Sequence, residues 1–325
     1  MNDTRRKLLL GAGCAPLLAV LPRMAWAAPL FDSINMFVPA APGGGWDGTA
    51  RAIEAAARAS GLASTFQFEN VAGAGGMVGL PKFVNQRKGQ SNTLMVGGSV
   101  MVGAGIANKS PVTIKDVTPI ARITEESSVI VVPAASPHKT WKDLAAALAA
   151  NPKAVSVAGG SAGGTDHLLL GLLVRALKGN PKDAAYVAFS GGGQAVAAVI
   201  GNQVSAGISG YSEFAEHIKS GRLRPLAVSG NKRIPGIDIP TLREQGTDVV
   251  AANWRGVFAP PGLSAPQRQA LTDFMTALVK TPAWRETLDK REWTDVFLAG
   301  PAFQTELERD IAETEAVMKS LGLAT

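Results

Sequence analysis

The 325-residue chain has one cysteine, Cys14, and three histidines. Cys14 lies in an N-terminal segment that we predict to be removed, so the remaining protein would contain no disulfide and no cysteine-bound metal. The histidines, His138, His167 and His217, are widely spaced and have no acidic partner at metal-ligand spacing. We therefore predict no metal site.

The chain also lacks any cluster of basic residues interleaved with aromatics, although its formal net charge is +6. Part of this charge belongs to the N-terminal segment, where four basic residues stand against Asp3. A mild positive excess without clusters does not suit a polyanion, so we predict no nucleic-acid partner.

The N-terminus has the order of a secretory signal. Arg5-Arg6-Lys7 precedes an apolar run over residues 8–21, and Ala25-Trp26-Ala27 supplies a small-residue cleavage site. The apolar run of about 14 residues is shorter than the roughly 20 needed to cross a bilayer. We predict a signal peptide over residues 1–27, and the paired arginines leave open whether export is general or by the twin-arginine route.

A glycine-rich segment follows the first predicted strand. Residues 34–38 are predicted to be a strand and Thr49–Ala59 a helix, so Pro-Gly-Gly-Gly-Trp-Asp at residues 42–47, here the first glycine loop, lies at a strand-to-helix turn. Glycines let a ligand approach the main chain, and the first N–H groups of a helix lack intrahelical partners. This pattern predicts an anion-binding loop, with a plain connecting turn as the alternative.

The same segment permits a second interpretation. Gly43, Gly45 and Gly48 form G-x-G-x-x-G after a strand, and Glu69 ends the next predicted strand, as in dinucleotide-binding proteins. An exported oxidoreductase using these residues is therefore an alternative. The phosphate loop of nucleotide hydrolases is excluded because no Lys follows the last glycine.

The pattern recurs in the middle of the chain. The second glycine loop, residues 159–166, follows a predicted strand and opens a predicted helix. Its Gly163-Gly164-Thr165-Asp166 repeats the arrangement of Gly44-Gly45-Trp46-Asp47, and a third glycine turn begins at Phe189. Strands, glycine loops and helices that alternate in this way predict an α/β fold with mainly parallel sheets.

We predict two lobes with a ligand cleft between them. The first lobe comprises residues 28–125 and 253–325, and the second comprises residues 126–252. The first crossing is placed at residues 125–128, between two predicted strands. Two crossings between lobes suit closure around a ligand.

Several segments together resemble the solute receptors of the tripartite tricarboxylate transporters, also called Bug receptors. The matching segments, in the family's order, are Pro42-Gly43-Gly44-Gly45 with Asp47, Asn70-Val71 with Gly73-Ala74-Gly75-Gly76, Leu226-Ala227-Val228-Ser229, Pro240-Thr241-Leu242 with Glu244-Gln245-Gly246, and Trp254-Arg255-Gly256-Val257-Phe258-Ala259-Pro260. The resemblance implies a two-lobed (type II) periplasmic binding protein, without enzymatic activity or cofactor, that binds a small carboxylate. It also implies a large and a small membrane subunit as partners, and we expect a monomer.

The resemblance also implies which residues form the site. They are Gly44, Gly45, Trp46 and Asp47 from the first lobe, Gly163, Gly164, Thr165 and Asp166 from the second, and Ser99 and Gly192 as walls. Trp46 stands where many members have a small hydroxyl residue and resembles the citrate-binding branch, which favours a di- or tricarboxylate ligand. We expect Trp46 to cover the ligand and Asp47 to cap its helix and pair with Arg51. Presentation of the ligand to a membrane sensor kinase remains an alternative to transport.

Overall fold

The computed structural model describes residues 30–190 and 192–324. The predicted signal peptide, residues 1–27, lies outside the described residues. The strands are β1 (Phe31–Val38), β2 (Ala63–Asn70), β3 (Thr93–Gly98), β4 (Thr118–Pro133), β5 (Val157–Gly159), β6 (Tyr186–Ala188), β7 (Ala206–Gly210), β8 (Leu223–Val228), β9 (Ala252–Ala259) and β10 (Thr294–Ala299). The α-helices are α1 (Gly45–Ala59), α2 (Gly79–Gln86), α3 (Ser99–Ala107), α4 (Trp141–Ala150), α5 (Thr165–Ala176), α6 (Gly192–Ile200), α7 (Tyr211–Lys219), α8 (Ala265–Val279), α9 (Pro282–Arg291) and α10 (Gly300–Leu321).

The strands form one ten-stranded sheet in the described part of the chain, in the order β2-β1-β3-β9-β4-β7-β5-β6, with β8 and β10 also paired to β4. The pairs β1–β2, β1–β3, β5–β6 and β5–β7 are parallel, whereas the pairs made by β4 and β9 are antiparallel. The predicted α/β fold is thus confirmed, and its sheet is mixed.

Strand β4 connects the two ends of this sheet. Its first half pairs with β9 and β10, and its second half, from Ser128, pairs with β7 and β8. The prediction of two strands separated at residues 125–128 was wrong, because this polar stretch is paired to β9 on one side. The chain therefore passes this point as continuous strand.

Buried apolar side chains form separate clusters at the two ends of the sheet. One cluster draws on residues 34–123 and 254–311, which come from both ends of the chain. Two others draw on residues 129–249 and lie around β5, β7 and β8. The predicted lobe boundaries remain a prediction.

Helix ends follow local sequence signals. Thr140 and Ser264 each cap the helix that follows, and the side chain of the third helical residue, Asp143 or Gln267, accepts a hydrogen bond from the backbone N–H of the cap residue. Residues 240–246, predicted to be a short helix, are turns held to β8 by a bridge between Thr241 and Val228. Strand β10 was not predicted, because its pairing with β4 is tertiary.

Candidate functional site

A cleft opens where the strands that precede the glycine-rich segments end. It contains about 650 Å³ of atom-free space, part of it open to solvent. Its lining residues come from seven segments of the chain: Pro39, Ala40, Ala41, Gly44, Gly45 and Trp46; Gly73, Gly75 and Gly76; Val100; Gly160, Ser161, Thr165 and Asp166; Ser190 and Gly192; Ser209 and Glu213; Asn253 and Arg255. The cleft therefore brings together the first and second glycine loops.

Six of the ten predicted site residues line the cleft, namely Gly44, Gly45, Trp46, Thr165, Asp166 and Gly192. The other four, Asp47, Ser99, Gly163 and Gly164, are not among the lining residues. The Ser99 hydroxyl instead bridges to β9, where it accepts from the Trp254 amide at 3.0 Å. It remains a prediction that these ten residues bind the ligand.

The first glycine loop is held by its own carboxylate. Helix α1 begins at Gly45, four residues earlier than predicted, and its N-cap Gly44 makes no side-chain capping bond. Asp47 accepts from the Gly43 amide at 3.1 Å and from the Asn70 amide group at 3.0 Å, and it lies 3.7 Å from the Arg51 guanidinium. The predicted pairing of Asp47 with Arg51 is confirmed, and the carboxylate is used within the loop.

The second glycine loop has the same backbone arrangement with different side chains. Its N-cap, Gly164, also lacks a side-chain capping bond, and the preceding Gly163 has φ +77°, as Gly43 has φ +82°. Here the Gly163 amide donates to Nδ1 of His167 at 3.1 Å. His167 therefore holds the second loop as Asp47 holds the first.

The residues of the two loops that occupy equivalent structural positions differ by one from those that match in the sequence repeat. Counted from the N-caps Gly44 and Gly164, Asp47 is the third helical residue, whereas Asp166 is the second. One residue rotates a side chain by about 100° around a helix axis. Asp166 consequently corresponds to Trp46, and these two side chains line the cleft.

Trp46 forms part of the cleft wall. Only 7% of its surface is exposed, and its ring lies against Gly76, where a Cβ atom would approach it to 3.1 Å. The side chain also belongs to the apolar cluster of the first part of the chain. Its packing therefore fixes the wall beside the start of α1.

Arg255 is a cleft residue that the sequence analysis did not select. Its Nη2 lies 2.5 Å from Oε2 of Glu126, and both side chains are almost fully buried. Within the described residues, Nε and Nη1 of Arg255 have no hydrogen-bond partner. The available signal was a lone charge inside an apolar strand, Trp254-Arg255-Gly256-Val257-Phe258.

Glu126 links this arginine to helix α7. Its Oε1 accepts from the Ser212 amide at 2.8 Å and from the Ser212 hydroxyl at 2.6 Å. The Glu126 carboxylate on β4 thus accepts hydrogen bonds at the start of α7 and forms an ion pair with Arg255 on β9.

Glu213 is the second functional candidate that the sequence analysis missed. Its carboxylate accepts a hydrogen bond from the Ser209 hydroxyl. A methyl group on Gly192 would overlap this carboxylate, and a Cβ on Gly45 would lie 3.5 Å from its Oε1. The Glu213 carboxylate therefore lies between the first residues of α1 and α6.

The two cleft carboxylates are electrostatically unusual. The pKa of Asp166 is raised to about 7, chiefly by burial and in addition by the charges of Glu213 and Glu126, while the Gly160 N–H group that donates to it has the opposite effect. Burial also raises the pKa of Glu213, with Glu126 adding to the effect and Ser209 and Arg255 opposing it. Arg255 is the one Lys or Arg among the lining residues.

Other features bear on the alternatives. Glu69, needed for dinucleotide recognition, makes ion pairs with Lys82 and Arg87. Within residues 30–190 and 192–324, no group of three or more His, Cys, Asp or Glu side chains is arranged to hold a metal. The helices of this same part of the chain include none with the length and apolarity needed to cross a membrane.

Comparisons with known proteins give a consistent result. Residues 49–323 match the family described as "Tripartite tricarboxylate transporter family receptor". Protein BugT of Bordetella pertussis is 29% identical over 267 residues, which cover 81% of this chain and 80% of BugT. A UPF0065 protein of Cupriavidus necator is 27% identical over 212 residues, so this chain spans 64% of that relative's length.

The fold is also similar to a solved structure, MatC from Rhodopseudomonas palustris with bound malate. The TM-score is 0.75 at 25% sequence identity, and the match covers 89% of this chain and 99% of MatC.

Proposed function

The chain belongs to the receptor family of the tripartite tricarboxylate transporters, and from this premise we propose that it is an exported receptor that binds a small organic acid in the cleft. It delivers this acid to the large and small membrane subunits of a transporter. The family and the fold are those of substrate-binding receptors, and the proposal includes no catalysis and no cofactor.

The observation that carries the proposal is the convergence of two helix N-termini on one cleft. Helices α1 and α5 have glycine N-caps without side-chain capping bonds, and the first residue of each, Gly45 or Thr165, lines the cleft. Their N–H groups and positive dipole ends favour an anion. Arg255 adds a buried cation, two of whose nitrogens have no partner among residues 30–190 and 192–324.

The chemical class of the ligand follows from the same donors, since backbone N–H groups and a guanidinium both suit a carboxylate. The malate held by MatC supports an organic acid. The finer preference for a di- or tricarboxylate rests on the resemblance around Trp46.

The dinucleotide alternative has less support. Its acidic residue would have to be released from Lys82 and Arg87 before it could accept from a ribose hydroxyl. The cleft also uses two glycine loops, whereas one dinucleotide fingerprint needs a single loop.

A thermal-shift screen tests the proposal. The processed protein, recovered after export and freed of ligand by unfolding and refolding, is heated with citrate, tricarballylate, succinate, malate, aspartate, glutamate, nicotinate and NAD. An acid at about one hundred times its Kd adds roughly 2.7 kcal/mol, which raises the melting temperature by several degrees. A shift with NAD and with none of the acids would contradict the proposal.

Two variants locate the site. In Gly45→Val the new side chain meets Nη2 of Arg255, which lies 2.9 Å from the Cβ position, and we expect binding to be lost. Gly193→Val is the control, because a Cβ there has no atom within 4 Å and Gly193 is not a lining residue. Equal binding by both variants would place the ligand elsewhere.

A further inference from the structure

The charges of the cleft are unbalanced in favour of carboxylates. Asp166 and Glu213 line it, and Arg255 is its one lining Lys or Arg. The ion pair of Arg255 is made with a third carboxylate, Glu126, at 2.5 Å. A ligand of several negative charges would therefore meet more like charge than opposite charge.

Neither cleft carboxylate makes an ion pair in the described part of the chain, although the charge of Arg255 acts on Glu213. Asp166 accepts from the Gly160 amide at 2.9 Å, and Glu213 accepts from the Ser209 hydroxyl, so both partners are neutral donors. Each carboxylate retains acceptor capacity, since it has two oxygens with about four lone-pair sites. These oxygens require a donor from the ligand or from water.

The position of the Glu213 carboxylate restricts where an anionic ligand can bind in the cleft. Its carboxylate contacts Gly192 at the start of α6 and approaches Gly45 at the start of α1. A protein carboxylate thus already occupies positions near two helix N-termini, which would otherwise favour a second carboxylate of the ligand.

An independent observation points to one ligand carboxylate. Arg255 is 2% exposed and lines the cleft, and its Nε and Nη1 have no partners in the part of the chain that the structure describes. A buried guanidinium with free N–H groups is costly unless an acceptor satisfies it. A carboxylate can accept from these groups.

We propose that Glu213 and Asp166 are specificity-determining residues that select an organic acid carrying one carboxylate and one protonated amino group, and that they disfavour tricarboxylates. The inference rests on the proposed receptor function and names its substrate class. The carboxylate is bound by Arg255 and the N-terminus of α5, and the ammonium group donates to the Glu213 and Asp166 oxygens.

Matched ligand pairs test the inference. Isothermal titration at pH 8 compares alanine with propionate and 4-aminobutyrate with butyrate, because each of these acids has one carboxylate and the members of each pair differ by the amino group. Charge-assisted hydrogen bonds predict that the amino member binds about 10- to 100-fold more tightly. Tricarballylate is expected to bind more weakly than the amino acids.

The variants Glu213→Gln and Asp166→Asn are expected to lose this preference and to gain relative affinity for propionate or butyrate. A gain of this kind distinguishes altered selection from misfolding, because a misfolded protein binds neither member. Glu216→Gln is the control, since Glu216 lies on the same helix with 82% of its side chain exposed. It should retain the wild-type preference.

The outcomes separate the two proposals. If the acids without an amino group bind as well as or better than their amino partners, or if both variants keep the wild-type ratio, the inference is overturned while the receptor function stands. If neither these acids nor the acids of the thermal-shift screen bind to the wild-type protein, the receptor function itself is contradicted and the inference falls with it.

Discussion

The first and second glycine loops have similar sequences, but their carboxylates have different surroundings. Asp47 accepts from two neutral donors, lies near Arg51 and is not a lining residue of the cleft. Asp166 lines the cleft and accepts a hydrogen bond from the Gly160 amide. The first loop uses its carboxylate for its own structure, whereas the second presents its carboxylate to the cleft.

The difference arises from the position of each helix start. The third helical residue accepts from the amide before the N-cap in both loops, but this residue is Asp47 in one and His167 in the other. The second helical residue faces the cleft in both loops, and it is Trp46 in one and Asp166 in the other. A repeated motif therefore indicates repeated backbone geometry, and the role of a side chain depends on its position relative to the N-cap.

The largest expected difference is between two arginines that each pair with a carboxylate, one buried and one partly exposed. Arg255→Met leaves Glu126 buried without its cation, and we expect the free energy of unfolding to fall by about 3–5 kcal/mol. Arg51→Met is the matched variant, and we expect a loss of about 0–1 kcal/mol because the Arg51 side chain is 46% exposed. Urea unfolding measures both. Equal losses would mean that Arg255 is not held in the buried pair.

The second prediction concerns the pH dependence that Asp166 imposes. Its pKa is about 7 in the folded protein against a reference value of 3.8, so its contribution to stability is present below pH 3.8 and is lost as the pH rises through about 7. The groups that face it are Glu213, Glu126 and Tyr186. In the wild-type protein, ionisation of this carboxyl lowers the free energy of unfolding by on the order of 4 kcal/mol between pH 4 and pH 8. We expect Asp166→Asn to abolish this decrease.

The difference between wild-type and Asp166→Asn unfolding curves isolates this effect from the other carboxylates. We expect the variant to gain stability relative to the wild type as the pH rises. A difference that is independent of pH would show that Asp166 is solvated in the ligand-free protein, and the contrast between the loops would then be weaker.

The third prediction concerns the two glycines with positive φ. Gly43→Ala and Gly163→Ala place an L-residue in the left-handed region, which costs about 1–2 kcal/mol in each case. A Cβ at Gly43 has no atom within 4 Å, whereas at Gly163 it would overlap the Ala107 side chain. We expect Gly163→Ala to lose about 1–3 kcal/mol more, measured by thermal unfolding. Equal losses would indicate that α3 can move away from the second loop.

The smallest expected effect is that of His167. His167→Ala removes the acceptor of the Gly163 amide and the stacking on Tyr186, whose ring centroid lies 4.4 Å away. We expect a loss of about 1–2 kcal/mol. His167→Asn supplies a neutral oxygen that can accept from the Gly163 amide, as Asp47 accepts from the Gly43 amide in the first loop. This variant should recover about half of the lost free energy of unfolding. No recovery would show that stacking alone holds this position.

Local signals predicted much of the fold. Residue spacing indicated β1, β3 and α10, and capping residues indicated the starts of α4 and α8. Both glycine loops were also recognised from their position between strand and helix. Elements fixed by tertiary pairing were missed, because β10 exists through its register with β4 rather than through a periodic pattern.

The charges of the cleft were missed for a related reason. Arg255 and Glu126 are separated by 129 residues, and they meet because β9 and β4 are neighbours in the sheet. Glu213 lies in the first turn of a helix, where an acidic residue is ordinary, and only the packing of α7 beside Gly192 brings it to the cleft. Sequence patterns predicted the backbone donors of the site, whereas the side chains that would select a ligand required the fold.

The central claim is that an organic acid binds at the starts of α1 and α5. The most direct test is the amide chemical-shift change of the ¹⁵N-labelled, ligand-free protein when aspartate, succinate or citrate is added. We predict that the largest changes occur at Gly45, Trp46, Thr165 and Gly192, with small changes at Lys109 and Lys319, which line a separate pocket. Saturable changes centred on that other pocket, with the amides at the starts of α1 and α5 unmoved, would contradict the account.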